Sequence, residues 1–183
     1  MKLAQLFFIA ILSISLSFAC SRSDQQAAAV ELVPQDIGDA SCELCGMVVS
    51  EQPAPRAQVV HRDGHRSMLC SVAELPAYLD APSVHGKPSA VFVEVLPADV
   101  DPSATNNSAH VWKAAEGLSY VIGGPMRPVM GESVLVFANL TDAQLQAVAF
   151  DGRVLDFEGL KGHIRAGLNG KQLPVDHDHG EKQ

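Results

Sequence analysis

Between residues 41 and 157 the chain runs twice through the order strand, strand, helix, strand, and that double run leaves few architectures open. The first pass begins with "RAQVVH" at 56–61, turns through "RDG", where Asp63-Gly64 supplies the reversal, and returns through "HRSML" at 65–69. "SVAELPAYLD" at 71–80 predicts a short helix with Ser71 as N-cap, Glu74 as its capping-box partner and Pro76 confined to the first turns. "SAVFVEV" at 89–95 then gives a strongly β-prone run. In the second pass "VWKAAEGLSYVIGG" at 111–124 reads as a strand with a bent middle, and "ESVLVFAN" at 132–139 as another strand. "TDAQLQAVAFDG" at 141–152 predicts a helix capped by Thr141 and stopped by Gly152, and "RVLDF" at 153–157 a last strand. The expected fold is α+β, with two small ββαβ-type lobes and mainly antiparallel sheets, the first over 41–97 and the second over 98–169. The two halves share this pattern without obvious sequence identity.

The ends of the chain have a different character. "MKLAQLFFIAILSISLSFAC" has a positive start at Lys2, a short apolar run over 6–16 and small residues before Cys20, the layout of an export signal occupying 1–19. The run is too short and too rich in serine for a membrane-spanning helix, which needs about 20 apolar residues. A Cys directly after such a segment points to lipidation of Cys20, although Ser17 stands where the usual lipoprotein pattern has Leu. Cleavage after Ala19 without lipid is the alternative. Residues 20–40 are polar and small and read as a lipid-anchored flexible tether. The tail over 170–183 is polar and reads as disordered, with His177 and His179 in "DHDHG" as weak metal scavengers at most. The net charge of −8 gives no electrostatic reason to hold nucleic acid. No Ser/His/Asp set, phosphate-cradling Gly loop or paired carboxylates in a cleft point to an enzyme.

Chemistry concentrates in "CELCGM", which puts Cys42, Cys45 and Met47 within six residues just before the first strand. A C-x-x-C pair can grip a metal, form a disulfide or supply half of a zinc site. A closed zinc site needs a second ligand pair; Cys70 and His65 could help supply it, but their spacing matches no standard zinc ribbon. A redox pair of thioredoxin type should open a helix, whereas Gly46 and the β-prone Val48-Val49 suit a loop. Methionine separates the options, because thiolate and thioether together select Cu(I). A second methionine group, Met126 and Met130 in "GGPMRPVMG", lies in a Gly/Pro-rich loop between two strands. Cys70, between a strand and a helix N-cap, reads first as a buried small hydrophobe, as Met68 does. His61 and His65 flank the hairpin turn, and either could complete a metal site. Trp112 is expected as a packing anchor.

Taken together, "CELCGM" after a lipoprotein-type signal, "RAQVVHRDGHRSMLCSVAELPAYL", and the segment from "VWKAAEGLSYVIGG" through "PMRPVMG" to "RVLDF" resemble the NosL family, the lipoprotein accessory factors of nitrous oxide reductase. The resemblance implies two ββαβ lobes and a Cu(I) carrier that delivers copper outside the cytoplasm to apo nitrous oxide reductase and its maturation machinery. By position it implies Cys45 and Met130 as ligands, with Met47, Cys42 or a nearby His completing a low-coordinate site. Val129 replaces a Pro of the family pattern, and the additional Pro125-Met126 keeps Met126 open as the loop ligand. The lipid anchor would face the periplasm, on the outer membrane in view of Ser21-Arg22 after Cys20. Two rival readings remain: a periplasmic thiol-disulfide protein using Cys42 and Cys45, and a binding module in which that pair is a structural disulfide.

Overall fold

The computed structural model describes residues 30–97, 111–124 and 130–170. The export segment, Cys20, Met126 and the tail with His177 and His179 lie outside the described residues. Among the described residues, no helix is long and apolar enough to cross a membrane.

The fold is α+β, with two antiparallel sheets. In the first, β1 (Ala57–His61) pairs with β2 (Arg66–Leu69) on one side and β3 (Pro88–Val95) on the other, and β3 carries β4 (Val111–Ala114), giving the order β2-β1-β3-β4. The hairpin register sets Ala57 opposite Leu69 and Val60 opposite Arg66, around a turn in which Gly64 has φ 86°. In the second sheet β5 (Ser119–Ile122) lies between β6 (Val134–Phe137) and β7 (Arg153–Leu155). The expected strand with a bent middle is thus two strands in different sheets. The bend contains Gly117 at φ 76°, a left-handed conformation suited to glycine.

Among the described residues, three α-helices accompany the sheets. A 3₁₀ turn at Val72–Glu74 leads into α1 (Leu75–Asp80), α2 is Leu140–Ala149, and α3 is Phe157–Gly170. The N-cap of α2 is Asn139, two residues before the expected Thr141; its side chain accepts the Asp142 N–H at 2.9 Å. Ser71 does cap its turn, accepting from the Ala73 N–H at 3.2 Å. Glu74 does not act as a capping-box partner, because its carboxylate turns inward to two thiols. The third helix has no counterpart among the expected elements. It lies against α1, where Arg165 clasps Asp80 through two bonds of 2.6 Å.

The larger of two apolar clusters among the described residues joins the two sheets, with Val59, Leu69 and Val93 from the first meeting Tyr120, Ile122, Val134 and Val136 from the second and Leu160 from α3. The smaller packs Val121, Leu135 and Phe137 with Ala143 and Ala147 of α2. Residues 30–40, expected as tether, dock on the first sheet. Gln35 and Gln58 exchange two hydrogen bonds of 3.0 and 2.6 Å, and Ile37 enters the core at 4% exposure. A buried ion pair fastens the loop before β1. Arg56 reaches Glu94 on β3 through Nε at 2.6 Å and Nη2 at 2.9 Å, and its Nη1 donates to the Gln52 carbonyl at 3.1 Å.

Candidate metal centre

The "CELCGM" segment is a tight loop closed by a bridge between Ser41 and Val48. Inside it the Cys42 N–H donates to the Met47 carbonyl at 2.7 Å, and the Gly46 N–H returns to the Cys42 carbonyl at 2.8 Å. Gly46 has φ 75°, which a larger residue adopts only with strain. The loop leans on β2, with the Glu43 N–H donating to the Met68 carbonyl at 2.9 Å. The chain leaving β2 therefore carries Cys70 directly to the loop, and the Ser71-capped turn brings Glu74 back to the same point. Neither cysteine of the C-x-x-C pair opens a helix.

Four donors converge here. The Sγ atoms of Cys42, Cys45 and Cys70 and a carboxylate oxygen of Glu74 all lie within 4.8 Å of one another. Cys45 and Cys70 face each other at 3.5 Å. Glu74 Oε2 accepts from the Cys70 thiol at 3.2 Å and the Cys42 thiol at 3.6 Å, and Cys42 Sγ accepts the Cys70 N–H at 3.4 Å. Cys42, Cys70 and Glu74 are buried; Cys45 is half-buried. Burial, the largest cause, pushes the Cys42 thiol above its ordinary range. It does the same for Cys70, with the neighbouring Glu74 carboxylate adding to the rise. Glu74 Oε1 is buried without a hydrogen-bond partner. Such an orphaned oxygen beside three thiols is what a cation arriving at the cluster would satisfy.

Met130 reaches the same region from the second half of the chain. It is 43% exposed, on the rim of a cleft of about 420 Å³ whose walls include Leu44, Ala73 and Glu74. The following residue fixes that approach: a Cβ on Gly131 would fall 2.8 Å from the Ala73 Cβ. Met47 is half-buried and packs against the core. His61 is buried, with Nδ1 donating to the Gly86 carbonyl at 3.0 Å and Nε2 2.8 Å from the Tyr78 hydroxyl. His65 stacks on His85 at 3.6 Å between ring centroids. Neither His61 nor His65 belongs to the cluster. Met68 is in the core, as expected, and Trp112 packs against it.

Cys70, expected as a buried small hydrophobe, and Glu74, expected as a capping partner, are instead members of the cluster. The available signal was their position either side of the Ser71 cap, where a turn folds residues four apart onto one point.

Three thiols in one small pocket, with a single carboxylate beside them, form a donor set dominated by soft sulfur, and on this scaffold they define an α+β protein suited to holding a soft metal ion. The NosL family model matches residues 35–164, and the chain belongs to that family. The copper-binding lipoprotein NosL of Stutzerimonas stutzeri is 27% identical over 172 residues, covering 92% of this chain and 88% of that protein. The crystal structure of the copper chaperone NosL from Shewanella denitrificans superposes with a TM-score of 0.59 at 26% identity, over 70% of this chain and 95% of that one.

Proposed function

We propose that this chain is an extracytoplasmic Cu(I) metallochaperone, held to the membrane by lipid on Cys20, that delivers copper for the maturation of nitrous oxide reductase. The observation that carries this reading is the convergence of Cys42, Cys45, Cys70 and Glu74 within 4.8 Å. Cu(I) is a d¹⁰ ion that favours sulfur donors and accepts low coordination numbers. Cys45 and Cys70 are the principal ligands in this proposal, Cys42 is the third thiolate, and Met130 is the thioether on the open side. Met47 and Met126 are secondary candidates. Glu74, which accepts from the Cys70 and Cys42 thiols, is placed to take up their protons as copper binds.

A carrier must also release its cargo. Half-buried Cys45 and exposed Met130 leave one side of the site open, so a recipient's ligands can enter before the carrier's leave. The chain acts by holding and transferring copper and is not an enzyme. Its relatives' names, a copper-binding lipoprotein and a copper chaperone, support this reading. A thiol-disulfide catalyst built on Cys42 and Cys45 is less well supported, because Cys42 is buried and neither residue gains from a helix N-terminus. A structural Cys42–Cys45 disulfide is also less well supported, since the Cys42 sulfur is turned to the Cys70 N–H and the Glu74 carboxylate.

The test is transfer. Anaerobic protein loaded with Cu(I) is mixed with copper-free nitrous oxide reductase, and the absorption of the reductase's copper centres is followed. Growth of those bands beyond what chelator-buffered Cu(I) gives supports delivery. Copper retained on the carrier, or no gain over buffered ion, overturns it.

A further inference from the structure

Resting on the copper-carrier reading, we infer that Cys45 and Cys70 form a reversible disulfide in the copper-free protein, removing two ligands and closing the site to Cu(I). The sequence suggests the C-x-x-C pair instead, but the geometry favours the long-range pair. The Cys45 and Cys70 sulfurs are 3.5 Å apart, in direct contact. Cys42 and Cys70 are equally buried, at 3% exposure, and both face the Glu74 carboxylate, at 3.6 and 3.2 Å. What singles out Cys70 is its direct contact with Cys45, whereas the Cys42 sulfur in addition receives the Cys70 N–H at 3.4 Å. Cys45 is the one half-buried thiol of the three, so an external oxidant meets it first.

The oxidant is a small-molecule or protein disulfide of the extracytoplasmic space, a compartment in which thiols tend to be oxidised. Cys45, as thiolate, attacks one sulfur of that disulfide, breaking its S–S bond and releasing the first thiol. The mixed disulfide on Cys45 is then attacked by Cys70, whose proton passes to the departing second thiol. The chain loses two electrons and two protons, and the oxidant leaves as two thiols. Bound copper would engage both sulfurs and block the exchange, so the disulfide marks only empty carrier. Reduction restores two ligands together, leaving Cys42 and Glu74 in place throughout.

The full chain, copper-free, is incubated with oxidised glutathione and mapped by trypsin without reduction. Cleavage after Arg56 and Arg66 puts Cys42 and Cys45 on one peptide and Cys70 on another. The expected product joins the two peptides, still forms in Cys42→Ser, and is lost in Cys45→Ser and Cys70→Ser. Oxidised protein should bind Cu(I) at least about 100-fold more weakly than reduced protein and recover with dithiothreitol. Closure of Cys42 on Cys45 within one peptide, or undiminished copper binding after oxidation, overturns the inference. A parallel titration of the reduced protein keeps the two claims apart: if it takes up no copper, the carrier reading fails while the mapping still reports which sulfurs join.

Discussion

Cys45 and Cys70, 25 residues apart in sequence, bring their sulfurs to 3.5 Å because a loop before the first strand leans on the end of the second. Cys70 should therefore matter to copper as much as the motif cysteine does. Replacing either with Ser should lower Cu(I) affinity by about 100-fold, near 2.7 kcal/mol, in competition with a chromogenic chelator. Retention of wild-type affinity in Cys70→Ser would reduce that residue to packing.

The raised thiols give a definite pH dependence. A thiol whose pKa is raised by folding adds stability that is fully present below its unfolded value and is lost as pH climbs through the folded one. Unfolded cysteines titrate near about 8.5, whereas Cys42 and Cys70 hold their protons to higher pH in the folded chain. Urea midpoints of reduced, copper-free protein should fall between about pH 8 and pH 10, and fall less in a Cys42→Ser, Cys70→Ser variant. Since ligands must lose protons to bind metal, copper uptake at neutral pH should release protons and tighten as pH rises.

The Arg56–Glu94 pair holds the loop before β1 to β3 with both partners buried at 0% and 2% exposure. Glu94→Ala would strand the guanidinium away from water. It should cost about 3–5 kcal/mol in urea unfolding, a large part of a domain's total stability. A loss under about 1 kcal/mol would mean that water reaches Arg56.

Gly131 both adopts φ 78° and touches Ala73, next to Glu74. Gly131→Ala should cost more than about 1 kcal/mol and shift Met130 from its place in the cleft beside Glu74. The expected copper phenotype is a weakening close to that of Met130→Leu. An unchanged affinity would detach Met130 from the site.

Much of the fold was legible because its signals are local. Asp63-Gly64 marks the hairpin, β-branched runs mark β3 and β6, and Ser71 marks its turn. The Val111–Ala114 strand was harder, since no local feature says which sheet a strand joins once Gly117 has bent the chain. The helix at Phe157–Gly170 was obscured by Gly159, Gly162 and Gly167, which depress helix propensity, although Phe157, Leu160, Ile164 and Leu168 keep a helical spacing. For the site, "CELCGM" announced itself by spacing alone. Cys70 and Glu74 did not, because a buried Cys normally packs and a Glu after a Ser cap normally caps. Only the register of the loop on β2 turns them toward a common point.

Anaerobic Cu(I) titration of the reduced protein against a chromogenic chelator, with Cys45→Ser, Cys70→Ser and Met130→Leu alongside, bears most directly on copper carriage by this cluster. One tightly held copper per chain is expected, lost in both cysteine variants and weakened in the methionine variant. No tight copper in the reduced wild type, or tight copper that survives both cysteine replacements, would contradict it.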